Sequence, residues 1–124
     1  MFWRKITLIA GGPVLIGLLL ILGHRHDLFY TTAWFDLFMH YLGGMLLIFT
    51  LAGTLWHLEL MPPEHPALFK TGLIAALILT SVCWEVLEVY AGMVPNWSQS
   101  IYDTITDMAS ALAGGLTALL FIRP

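Results

Sequence analysis

Cysteine and charge are what this chain of 124 residues has least of: one cysteine, five lysines and arginines, and 10% charged residues in all. Cys83 has no partner within the chain, so no intramolecular disulfide can brace the fold and cysteine usage says nothing of redox compartment. With so few basic residues and a formal net charge of -3, the electrostatic footprint of a nucleic-acid binder is excluded. Soluble domains average roughly 25% charged residues, whereas this chain is 59% hydrophobic with a mean hydropathy of +0.84. The bilayer is therefore the expected solvent.

A hydrocarbon core of about 30 Å needs about 20 apolar residues per helix. Apolar runs separated by polar and proline-bearing segments give four spans, at residues 5–23, 34–57, 68–91 and 101–122. The expected fold is all-α: an integral membrane bundle of four transmembrane helices that forms one domain over residues 1–124. Arg4 and Lys5 before an apolar run resemble a signal peptide, but "ILGHRHD" offers no cleavage pattern, so the first helix is expected to stay. Arg4, Lys5, Lys70 and Arg123 fall on one side of such a bundle and Arg25 on the other, which puts both termini in the cytoplasm. The cytoplasmic loop "HLELMPPEHPALFK" carries adjacent prolines, which make a stiff turn.

In that topology the acids form a pattern. Asp36 lies near the start of the second span and His40 one turn deeper on the same face. The third span reaches the same level with Glu85 and Glu88, and the fourth with Asp103 and Asp107. The expectation is an outer tier of Asp36, Glu88 and Asp103 above an inner tier of His40, Glu85 and Asp107. Plainer readings exist for some of them. Ser100-x-x-Asp103 has the form of a helix-capping signature, Asp36 suits the dipole of a first turn, and Glu88 suits the interface. His40, Glu85 and Asp107 are harder to explain away, because an acid near mid-membrane costs about 2.5 to 3.5 kcal/mol.

No lysine or arginine lies in the outer halves of these helices, so five carboxylates there cannot all ionise unaided. Either some are protonated and bonded to one another, or cations supply the missing charge. A carboxylate-rich set with one imidazole suits Mg²⁺, Mn²⁺, Fe²⁺ or Zn²⁺, and six ligands suffice for two ions. Below the acids, Gly43 and Gly44 on one helix and Ser110, Ala111, Gly114 and Ala118 on another form small-residue faces that let helices approach closely. Ser81, a turn below Glu85, is a candidate hydrogen-bond donor to it, while Thr104 and Thr106 are expected to bond backbone carbonyls. "FDLFMHYLGG" and "YDTITDMASALAGG" echo one another in order, aromatic, acid, His or Asp, then paired glycines, with unequal gaps.

"WEVLE" followed by "YDTITDM" and a small-residue run resembles the YjdF-like bacterial inner-membrane proteins, whose pattern is WExxE, then DTxxDM, with an upstream Asp-x-x-x-His. More distantly the pattern is similar to VanZ-like membrane proteins of the cell envelope, although the basic residue those proteins carry before the last Asp is missing. The resemblance covers residues 34–117 and implies Asp36, His40, Glu85, Glu88, Asp103 and Asp107 as functional residues in the bacterial cytoplasmic membrane. It implies no particular reaction.

Three function classes follow. One is a metal-dependent hydrolase or transferase acting on a lipid or envelope substrate at the outer leaflet, with His40 or Glu85 as proton acceptor and His24, Arg25 and His26 meeting an anionic headgroup. Another is a proton- or cation-linked carrier or sensor, which four spans would serve best as a homo-oligomer. The last is a structural assembly subunit whose acids set helix registry. Trp34, Trp97, Tyr30 and Tyr102 at the same level are accounted for by an interfacial aromatic belt.

Overall fold

In lipid, a backbone that finds no water must bond to itself, and an apolar run does so as a helix. The computed structural model describes residues 2–60, 65–92 and 97–122, with side chains from residue 10 onward except those of 33 and 97–100. It contains α1 (Phe2–Arg25), α2 (Leu28–Thr31), α3 (Ala33–His57), α4 (Pro66–Tyr90) and α5 (Trp97–Phe121), and no strand among the described residues. Three of these are long and apolar enough to cross a membrane, over Trp34–His57, Pro66–Tyr90 and Ile101–Phe121. An apolar stretch of α1 covers Ala10–Arg25.

Local signals explain most boundaries. Pro66 occupies the first turn of α4, where its missing N–H costs nothing. Gly92, with φ +70°, follows the last turn and lets the chain leave in a left-handed conformation. The loop after α1 is partly helical, which the polar residues at both ends of "HRHDLFYTT" did not suggest. The adjacent prolines of the second loop, and Glu64 beside them, lie outside the described residues.

One boundary differs in a way that matters. α5 begins at Trp97, a turn before the apolar run at Ile101, because hydropathy does not register a polar first turn. Ser100 therefore lies inside the helix, and Asp103 is beyond the first turn. The capping reading of Asp103 is overturned.

The broadest pairing joins α3 to α5, and the two helices run parallel: Leu37 meets Ser110 and, farther along, Ile48 meets Gly115, with Gly44 against Ala111 and Gly114 against Tyr41 at the crossing. A Cβ at Gly44 or Gly114 would strike the neighbour's backbone, so only glycine permits this approach. Gly43, expected on the same face, has open space around its Cα and takes no part. α4 runs antiparallel to both and lays Leu77 against Gly115. α1 packs antiparallel along α3, with Gly12 at Leu46 and Thr50 and Gly23 at Phe29 and Phe35.

Ile48, Ala52, Phe69, Leu73, Leu77, Ala118 and Leu119 close the end of this trio at which α3 and α5 finish and α4 begins. Outward, Leu79, Val86, Leu120 and Phe121 are exposed, as side chains facing lipid would be.

Candidate metal centre

Parallel packing of α3 and α5 sets the register of the site. The offset that brings Gly44 to Ala111 also brings His40 to Asp107 and Asp36 to Asp103. α4, running the other way, delivers Glu85 and Glu88 to the same place with its last turns. All six residues singled out by spacing, five acids and one histidine, thus converge at the end of the trio opposite the apolar core.

They meet as two overlapping sets. His40, Glu85, Glu88 and Asp107 can each offer a ligand atom within 4.8 Å of the others, and so can Asp36, Asp103 and Asp107. Glu88 accordingly sits with the inner residues, contrary to the expected outer tier. At i+3 it is rotated by about 60° from Glu85, and its side chain is long enough to reach inward. Trp84 directs it, the indole N–H donating to Glu88 Oε1 at 2.7 Å. The i, i+4 spacing of Trp84 and Glu88 was the signal for that bond, which the acids considered alone do not reveal.

His40 Nε2 stands 3.6 Å from Asp36 Oδ1 and 3.5 Å from Asp107 Oδ2. Both separations are longer than a good hydrogen bond. The His40–Asp107 separation matches instead the edge of a tetrahedron of ligands around an ion at about 2.1 Å, which is roughly 3.4 Å. Asp107 is 1% exposed, and its Oδ2 is buried without a hydrogen-bond partner. An orphaned buried oxygen of this kind costs about 1–3 kcal/mol, more when charged. Among the described residues no lysine or arginine pairs with any of these acids.

Helix dipoles divide the acids further. Asp36, in the first turn of α3, faces the favourable positive end. Glu88, in the last turn of α4, faces the unfavourable negative end. An anion placed there calls for a cation.

Surrounding hydroxyls complete the frame. Thr104, not Ser81, is the hydroxyl that partners Glu85 among the described residues, so the expectation that Thr104 turns away is corrected. Thr106 behaves as expected, donating to the carbonyls of Tyr102 and Asp103. Two bonds tie α3 to α5 beneath the acids: Ser110 donates to the Leu37 carbonyl at 2.7 Å and Tyr41 to Thr117 at 3.0 Å. Small-residue spacing found Ser110 but gave no sign of Tyr41.

His24 and Arg25 occupy the last turn of α1, with His26 just after, all exposed. Phe29 packs tilted against His24 and edge-to-face against Phe35, both with ring centroids 5.0 Å apart, and so anchors this loop beside the residue that precedes Asp36. The arrangement offers hard oxygen donors, one imidazole and an exposed basic rim, a set that can hold metal ions and receive an anion.

No curated protein and no solved structure matches the chain. A family model described as a predicted membrane protein, DUF2238, matches residues 4–123. Nearly the whole chain is covered, and it therefore belongs to the DUF2238 family of predicted membrane proteins.

Proposed function

We propose that this chain is a single-domain, four-span protein of the bacterial cytoplasmic membrane, with both termini cytoplasmic. In this reading its three-helix pocket holds divalent metal near the extracytoplasmic surface and serves a hydrolase or transferase acting on an outer-leaflet lipid or envelope substrate. The topology is supported by the basic residues, four on one side against Arg25 on the other, and by the antiparallel course of α1 along α3. The DUF2238 match extends over the whole stretch on which the YjdF-like resemblance rests, and it lends the VanZ-like one no support.

The observation that carries the metal reading is Asp107: a fully buried carboxylate whose Oδ2 has no partner, aimed among five other ligand groups with no fixed cation beside it. A bound divalent ion would polarise a phosphoryl or acyl oxygen and lower the pKa of water. The carboxylate oxygen of Glu85 that does not hold the ion can take a proton from such a water, and His40 can do so only where its imidazole is left free of the ion. His24, Arg25 and His26 stand at the rim to receive the negative headgroup. Conduction fits less well, because below the acids the trio closes on Ile48, Leu77 and Ala118.

Elemental analysis of the detergent-purified protein, made without a His tag, tests this beside a Glu85→Gln, Asp107→Asn double variant. Stoichiometric divalent metal lost in the variant is the expected result. Metal in neither protein after loading with Mg²⁺, Mn²⁺, Fe²⁺ and Zn²⁺ would sink the reading in favour of protonated carboxyls.

A further inference from the structure

We infer that the pocket takes two unlike cations that share the Asp107 carboxylate: an inner ion held by His40, Glu85, Glu88 and Asp107, and an outer ion held by Asp36, Asp103 and Asp107. This rests on the metal reading above and goes further by dividing the site.

The two ligand sets overlap only at Asp107. A carboxylate has two oxygens, and one that bridges can give one to each ion. Asp107 is suited to that place, being buried with an unpartnered Oδ2 at the point where α5 faces both α3 and α4. Charge counts the same way. Five carboxylates facing one divalent ion would leave three negative charges in an apolar surround, and facing two ions they leave one. The residual is small enough for the Arg25 guanidinium at the rim to balance from outside.

Donor chemistry makes the two places unlike. The inner set contains the imidazole and the two buried acids, Glu85 and Asp107, and suits Zn²⁺, Fe²⁺ or Mn²⁺. The outer set is all carboxylate and partly exposed, Asp36 retaining 33% of its side-chain surface, and suits Mg²⁺ or Mn²⁺ with water in the remaining positions. The α3 dipole supports Asp36 even without a cation, whereas Glu88 at the end of α4 has no such help. The inner ion is therefore retained and the outer one exchanges. An anionic phosphate entering from the rim meets the outer ion first.

Mn²⁺ serves as a probe for both places, read by elemental analysis and electron paramagnetic resonance on the dialysed, detergent-purified protein. Wild type should hold two ions per chain with a spin-coupled spectrum, since carboxylate-bridged ions lie about 3.5–4 Å apart. Asp36→Asn with Asp103→Asn should keep one ion, with the spectrum of an isolated Mn²⁺. If that double variant does not fold, Asp36→Asn alone should shorten retention of one ion in wild-type-like protein. One ion per chain in wild type, unaffected by the outer variants, would overturn the division and leave the metal reading standing. Two ions with uncoupled spectra would overturn the sharing at Asp107, and no ion in wild type would end both proposals.

Discussion

The two ends of the α3–α4–α5 trio are built from the same three helices and obey different rules. At one end Ile48, Leu73, Leu77 and Ala118 interlock with almost no exposed surface. At the other, six ionisable groups crowd within ligand distance and one buried oxygen goes unpartnered. Lipid tails are as apolar as leucine, so the first end is held by close contact and shape rather than by escape from water. The second end gains nothing from shape, and its free energy is decided by charge. Position along the helices thus separates what holds the bundle from what the bundle presents.

Breaking the packed side should have the largest effect. Gly44→Val forces a branched side chain onto the backbone of Ala111 and should cost at least the upper part of the about 1–3 kcal/mol usual for overpacking. Gly43→Ala, one residue away in open space, should leave the protein intact, and thermal unfolding in detergent compares the two. If both behave alike, the close α3–α5 approach is wrong.

Asp107→Asn tests the charged end. At a metal concentration about a hundred times Kd, wild type should gain about 2.7 kcal/mol over its chelated form. The variant should gain almost nothing, because its amide offers the ion no carboxylate. Melting with and without chelator reads the difference.

Ser110→Ala lies between the two ends, removing one interhelical hydrogen bond to Leu37. It should cost about 0.6 kcal/mol while leaving metal content unchanged. Smallest of all is Glu59→Gln, exposed beyond α3, where neither metal content nor melting should move beyond about 0.5 kcal/mol. Loss of metal there would mean that acids bind ions wherever they occur, and the contrast between the ends would collapse.

Helical period alone brought the six site residues to one level, since i and i+4 share a face and charge in lipid stands out against its surroundings. Rotation of one helix about another has no such signature. That is why Glu88 changes sets, Thr104 turns toward Glu85, and Gly43 and Gly44 have opposite surroundings despite being neighbours. Long-range side-chain bonds were equally hidden: nothing near Tyr41 in sequence points to Thr117. The polar first turn of α5 escaped because hydropathy reports what enters lipid, not where a helix begins.

The parallel pairing of α3 with α5 also has a consequence for the order in which the protein is made. The ribosome finishes α3 first, yet its broadest partner, α5, emerges only after α4, and the bonds that join them link residues 73 and 76 apart in sequence. Throughout the synthesis of α4 and α5, the polar face of α3 has no α5 to cover it. A chain that stops before α5 leaves α3 and α4 with acids and no matching wall. Only with α5 in place do the acids of α3 gain the wall that the folded bundle gives them.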